Sequence, residues 1–166
     1  GDIYVSVSDN GENNFSEGFV VRFFKSDNTS WVANFSLGWT NCLQAFDFPE
    51  YNLVIVISGG KGYAMTPDEE KPKFTFDLIS EVLQTENKSL IFLDGIGILF
   101  FDNSNGEFWE SERISWDGFK DLSVSNNILV GKSYNPIGSE EDCWIDFSVN
   151  LDTKQIQGGS FRESLK

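Results

Sequence analysis

Short apolar–polar alternations, each cut off by a turn signal, run through nearly the whole chain. Residues 143–151 (CWIDFSVNL) set Cys143, Ile145, Phe147, Val149 and Leu151 on one side, and Trp144, Asp146, Ser148 and Asn150 on the other. A period of two belongs to an extended strand with one buried face. Two-residue turn formers separate such runs: Gly59-Gly60, Asp94-Gly95, Asn105-Gly106 and Asn126-Asn127. Gly, Asn and Asp tolerate the positive φ that tight hairpins require. The pattern predicts an all-β protein of antiparallel hairpins with little helix. A barrel, a sandwich and a propeller-like arrangement all satisfy it.

Strands are expected at 3–7, 19–25, 30–37, 53–58, 61–66, 73–78, 90–93 and 96–101. More are expected at 107–115, 119–124, 128–134, 143–151 and 155–161. Residues 8–18 read as a polar loop, and 41–51 as an aromatic-rich irregular stretch stopped by Pro49. Leu78, Ile79, Val82 and Leu83 share a helical face, so a helical turn is expected after residue 78. The last five residues are expected to fray.

A duplication overlies this pattern. Phe23-Phe24, a polar turn, Trp31 and Gly38-Trp39 line up with Phe100-Phe101, a polar turn, Trp109 and Trp116-Asp117-Gly118. Farther on, residues 52–57 line up with 127–130, 60–63 with 131–134, and 74–78 with 145–149. Pro67 and Pro136 follow in the two copies, each leading into an acidic loop. The reading is one domain, 1–166, with an internal repeat over about 19–78 and 96–151. Two such units could shield each other's strand edges.

Composition narrows the function classes. The 166 residues hold 16 Phe and 5 Trp, enough for a proper core. A net charge of −14 repels phosphate and anionic lipid, so neither nucleic acid nor a membrane is expected as a direct partner. It attracts a basic protein. There is no His, which removes the commonest general base and metal ligand and any Ser–His–Asp triad. Cys42 and Cys143 cannot make a four-ligand zinc site by themselves. Buried thiols are expected, with a disulfide only if the fold brings the two together in an oxidising compartment. No metal or cofactor is expected. No leader pattern is visible, which favours the cytoplasm. The chain begins at Gly1 rather than Met, and so leaves secretion or the periplasm open.

Five groups of residues are candidates for function. The acidic loops, Asp68-Glu69-Glu70 and Glu140-Glu141-Asp142, recur after the two prolines and would form a negative patch if they share one end. Their plain alternative is solvated hairpin tips. Trp31, Trp39, Trp109, Trp116 and Trp144 could stack on sugar rings, but matched repeat positions point to packing. Gly59-Gly60-Lys61-Gly62 lacks the spacing of a phosphate-binding loop and reads as a hairpin turn. Residues 102–107 begin like a calcium loop, but Arg113 stands where the twelfth-position Glu belongs, and an Asn-Gly turn is the simpler reading. Asp146, Glu110 and Glu112 could belong to a hydrolase carboxylate pair, although no pair stands out.

The string Arg113-Ile-Ser-Trp-Asp-Gly-Phe-Lys-Asp-Leu122, with Gly131-Lys-Ser-Tyr-Asn-Pro136 and Gly158-Gly-Ser-Phe161, resembles small bacterial β-rich proteins. Immunity proteins of toxin systems are among them. The resemblance spans about the last third of the chain and includes no catalytic residue. It implies a small, acidic, non-enzymatic binding protein. The functional expectation is therefore a non-enzymatic protein-binding module, an immunity-type inhibitor of a basic toxin or nuclease. The alternatives are a carbohydrate-binding protein and a hydrolase.

Overall fold

A computed structural model describes residues 3–12 and 17–166. Part of the expected 8–18 loop therefore lies outside the described residues. Among the described residues the structure is 48% strand and 4% helix. Its contacts divide it into two compact units, residues 1–80 and 81–166. Each unit holds two sheets.

In unit 1 the first sheet contains β1 (Ile3–Val7), β2 (Phe19–Phe24) and β3 (Ser30–Phe35), in the order β1-β3-β2. The second contains β4 (Leu43–Phe48), β5 (Leu53–Ser58), β6 (Lys61–Met65) and β7 (Phe74–Phe76), in chain order. In unit 2 the third sheet is β8 (Glu81–Gln84), β9 (Leu90–Leu93), β10 (Ile98–Asp102) and β11 (Glu107–Glu110). The fourth is β12 (Phe119–Ser125), β13 (Ile128–Tyr134), β14 (Trp144–Asn150) and β15 (Ile156–Gly158). A short helix, α1 (Ser160–Glu163), follows.

Within each unit the two sheets pack through their alternating apolar faces. Val7, Phe23, Trp31, Ala33 and Phe35 of the first sheet meet Val54, Val56, Tyr63 and Met65 of the second. In unit 2, Ile91, Leu93, Ile98 and Phe100 meet Leu129, Phe147, Val149 and Leu151. Burying apolar side chains of this size stabilises by roughly 1.5–3 kcal/mol each.

The duplication lies in the backbone itself. Antiparallel pairing sets Phe23 opposite Trp31, and Phe100 opposite Trp109. The link from the third to the fourth strand of the next sheet then covers each pair. In unit 1, Trp31 Nε1 donates to the Pro67 carbonyl at 2.8 Å. In unit 2, Lys154 lies over both rings, its Nζ 4.5 Å from the Phe100 centroid and 5.4 Å from that of Trp109. The element order β2–β7 matches β10–β15.

Several expectations are corrected. The pairing is antiparallel except for β1, which runs parallel to β3. Residues 41–51 contain strand β4 and a 3-10 turn, Pro49–Tyr51. β4 is a sheet edge with Leu43, Gln44, Ala45 and Asp47 exposed, so its alternation is weak. No helical turn follows residue 78: Leu78 takes φ +61° and β8 begins at Glu81. Pairing with β9 overrides the helical periodicity there. The strand at 107 ends at Glu110. The strand expected at 155–161 stops at Gly158 and gives way to α1, so the second copy extends past residue 151.

Candidate functional site

Trp39 is 93% exposed, although it lies inside a tightly held loop. The loop joins β3 to β4 and is laced onto the β5–β6 turn. Gly38 N–H donates to the Ser58 carbonyl at 2.9 Å, and Thr40 N–H to that of Gly59 at 2.9 Å. Gly60 N–H donates to the Cys42 carbonyl at 3.2 Å, and Ile79 N–H to that of Gly60 at 2.9 Å. Thr40 Oγ1 completes the clamp by donating to the Ile79 carbonyl at 2.7 Å.

This close approach depends on glycine. Gly60 sits at φ +83°, and a Cβ there would fall 2.4 Å from Thr40 Oγ1 and 2.7 Å from the Ile79 carbonyl oxygen. Gly59-Gly60 is therefore a hairpin turn whose outer surface is already occupied by backbone. That is the role the spacing argued for, in place of phosphate binding.

Three exposed leucines lie on the segments that this clamp joins. Leu37 and Leu43 flank the loop at 49% and 50% exposure, and Leu78, next to the clamped Ile79, is at 55%. Tyr63 supports the loop from below: it is buried, and its hydroxyl donates to the Ser36 carbonyl at 3.1 Å. Burial first, then the charges of Asp9 and Asp77, push the Tyr63 phenol up to about 12. Asp9 pairs with Lys61, whose hydrogen bond holds the Asp9 carboxyl below its ordinary range. Exposed apolar side chains and the Asp9–Lys61 pair thus lie on the segments that meet at the clamp.

The other tryptophans are engaged. Trp31 is fully buried and stacked on Phe23, with ring centroids 4.6 Å apart. Cations lie over the remaining three: Lys154 over Trp109, Arg113 over Trp116 at 5.1 Å and Lys120 over Trp144 at 4.4 Å. Packing is the outcome that matched repeat positions predict, and Trp39 departs from it. Its counterpart Trp116 also sits against Phe161 at 4.9 Å, whereas Trp39 stands in solvent.

The acidic loops do not occupy equivalent positions. Residues 68–70 link β6 to β7, the third and fourth strands of their sheet. Residues 140–142 link β13 to β14, the second and third. Successive links of a meander alternate between its two ends, so the loops leave opposite ends of their sheets. The expected shared position is corrected accordingly. In unit 1 the 68–70 loop also lies at the end away from Trp39. Asp68 accepts from Ser26 N–H at 3.0 Å and Ser26 Oγ at 3.1 Å, which ties its loop to the β2–β3 turn. Glu69, Glu70, Glu140, Glu141 and Asp142 are exposed.

Glu110 is exposed, and the other remaining candidates have structural partners. Asp146 pairs with Lys132 at 2.7 Å, and Glu112 with Arg162 at 2.8 Å. In the 102–107 stretch Asp102 Oδ1 accepts from Ser104 N–H and Oγ, and Asn105 Oδ1 from Glu107 N–H. That is the hydrogen bonding of a closed turn. Cys42 and Cys143 are half-buried, and neither is in a disulfide. Among the described residues no three His, Cys, Asp or Glu side chains lie close enough to hold a metal. Among them, too, no helix is long and apolar enough to cross a membrane.

The three strings that carry the bacterial resemblance converge on one buried knot in unit 2. Ser115, Ser133 and Ser160 each donate to a backbone carbonyl: Gly118 at 2.7 Å, Ile145 at 3.0 Å and Tyr134 at 2.6 Å. Each also accepts a backbone N–H: Tyr134 at 3.1 Å, Ser160 at 2.8 Å and Trp116 at 3.2 Å. Sequence reasoning singled out the strings but not their meeting. With donor and acceptor both used, these hydroxyls hold loops together.

No family model matches the chain, and no curated protein matches it. Among solved structures, the N-terminal domain of Nup159 is similar over 95% of this chain, at 13% identity and a TM-score of 0.43. The chain spans 43% of that structure's length.

Proposed function

We propose that this protein is a non-enzymatic binding module that engages a basic protein partner, with Trp39 as the anchoring side chain. The single observation that carries the reading is Trp39 itself, 93% exposed on a loop clamped by backbone hydrogen bonds. An aromatic on a clamped backbone costs little backbone entropy on docking, and Trp is among the residues most enriched at binding hot spots. Leu37, Leu43 and Leu78 supply an apolar surround. The net charge of −14 favours a partner whose apolar pocket is rimmed by Lys and Arg. An immunity-type inhibitor of a basic toxin or nuclease fits that description. Among the described residues the carboxyls displaced from their ordinary range, Asp9 and Asp27, are both shifted down, the wrong direction for a general acid.

The test is inhibition and binding across a panel of basic nucleases and toxins, with the intact chain and Trp39→Ala, at low and high salt. The expected result is binding to at least one basic member, weakened by salt and lost in Trp39→Ala. Binding unaffected by both, or confined to neutral and acidic proteins, would overturn the proposal. The exposed indole also favours a second reading, a single sugar-stacking platform. A glycan array that binds the intact chain but not Trp39→Ala would support it in place of the first.

A further inference from the structure

The first sheet lacks a neighbour that its counterpart has. In unit 2, β10 is flanked by β11 on one edge and by β9 on the other. In unit 1, β2 is flanked by β3, and among the described residues no strand pairs with its other edge. The sheet gains β1 on the opposite side, next to β3. The matched phenylalanines register the difference: Phe101 is fully buried, while Phe24 is 72% exposed.

Beside the open edge lies a groove of 270 Å³, lined by Val21, Phe23, Ala45, Phe46, Val54 and Pro67. Arg22, Phe24 and Asp47 also line it. Arg22 donates to Ser30 Oγ at 3.3 Å across the β2–β3 pair, and its side chain shares the exposed outer row with Val20 and Phe24. Lys25 follows directly. In a chain of net charge −14 this edge carries two cations within four residues, Arg22 and Lys25.

We propose that the free edge of β2 and its groove seat an extended strand from a partner chain, apolar opposite Val21 and Phe23 and carrying a carboxylate opposite Arg22. The occupied counterpart supplies the pattern. There Ile91 and Leu93 of β9 stand opposite Phe100 and Ile98 of β10, and both point into the core. Transferred to β2, two such side chains would fill the groove, and the residue between them would face Arg22. Backbone pairing supplies affinity, and the alternate side chains supply selectivity. The seat is separate from the Trp39 end and does not depend on it.

The probe is a synthetic peptide of residues 81–93 of this sequence with Phe92→Glu, titrated into the full chain. The expected result is slowed amide exchange in β2 with that of β15 unchanged. Lysine in place of the peptide's glutamate should weaken binding roughly ten-fold, and Arg22→Glu in the protein should reverse that preference. Arg22 is exposed, and the swap on the peptide side needs no change to the protein at all. No binding at millimolar peptide, or equal binding of the glutamate and lysine peptides, would overturn the proposal. So would self-association that protects β2 and is broken by Phe24→Glu, since a second copy would then be the occupant.

Discussion

Ser160 N–H donates to Ser133 Oγ at 2.8 Å, while Ser160 Oγ donates to the neighbouring Tyr134 carbonyl at 2.6 Å. The start of α1 is thereby fastened to β13, and Ser115 fastens the β11–β12 link to the same place through Tyr134 N–H at 3.1 Å. All three hydroxyls are buried. Removing one leaves a backbone donor and a backbone acceptor without their partner. Ser133→Ala and Ser160→Ala should each destabilise by about 1–3 kcal/mol in urea unfolding. Because both hydroxyls fasten residue 160 to the same stretch, 133–134, the double variant should cost less than the sum of the singles. Additive losses would count against a coupled knot.

Tyr63 predicts a pH dependence. Its folded-state value of about 12 lies above the ordinary 10, so the folded protein holds the phenolic proton more tightly than the unfolded chain. The stability from that difference is complete below pH 10 and is lost as pH rises towards 12. Its size is at most about 2–3 kcal/mol. Chemical denaturation between pH 9 and 12, compared with Tyr63→Phe, isolates it from the other titrating groups. The variant should lose less stability over that range, and identical slopes would refute the assignment.

Gly60→Ala should destabilise by about 1–3 kcal/mol, because φ is +83° and the added Cβ would meet Thr40 Oγ1 and the Ile79 carbonyl. Gly118, at φ +102° with nothing within 4 Å of an added Cβ, isolates the φ penalty from the steric one. Gly118→Ala should therefore be the milder change in thermal unfolding.

Trp39→Ala should leave stability within about 0.5 kcal/mol, since the side chain is 93% exposed. Trp31→Ala should cost about 3–5 kcal/mol, since it empties a fully buried site and orphans the Pro67 carbonyl. Urea midpoints for the two variants distinguish a presented tryptophan from a packed one within the same unit.

Lys154→Met should cost about 0.5–1 kcal/mol by removing the cation above Phe100 and Trp109. Its ammonium also donates to the Leu151 carbonyl at 2.5 Å. A loss that shrinks in the Trp109→Leu background would assign part of the effect to that ring rather than to the carbonyl.

Strand identity and the doubled Phe–Trp hairpin were legible because both depend on neighbours in sequence. Period-two alternation marks a half-buried strand, and the Asn-Gly and Gly-Gly turns set the hairpin joints. Edge strand β4 escaped notice because one exposed edge needs no strict alternation. The helical reading around Leu78 failed because β9 was available to pair with β8. The repeat also misled. Matching 60–63 with 131–134 compares a turn and β6 with the second half of β13, since motif spacing does not count strands.

By itself the sequence determined the strand-and-turn alphabet, the acidic surface and the absence of His, all properties of single residues or short runs. Tertiary structure alone decided which tryptophan faces water, where the acidic loops emerge and which sheet edge stays open. Trp39 and Trp116 hold matching places in the repeat, yet only Trp116 has Phe161 and Arg113 against it. Exposure depends on what the rest of the chain brings alongside, and residues far apart in sequence supply that.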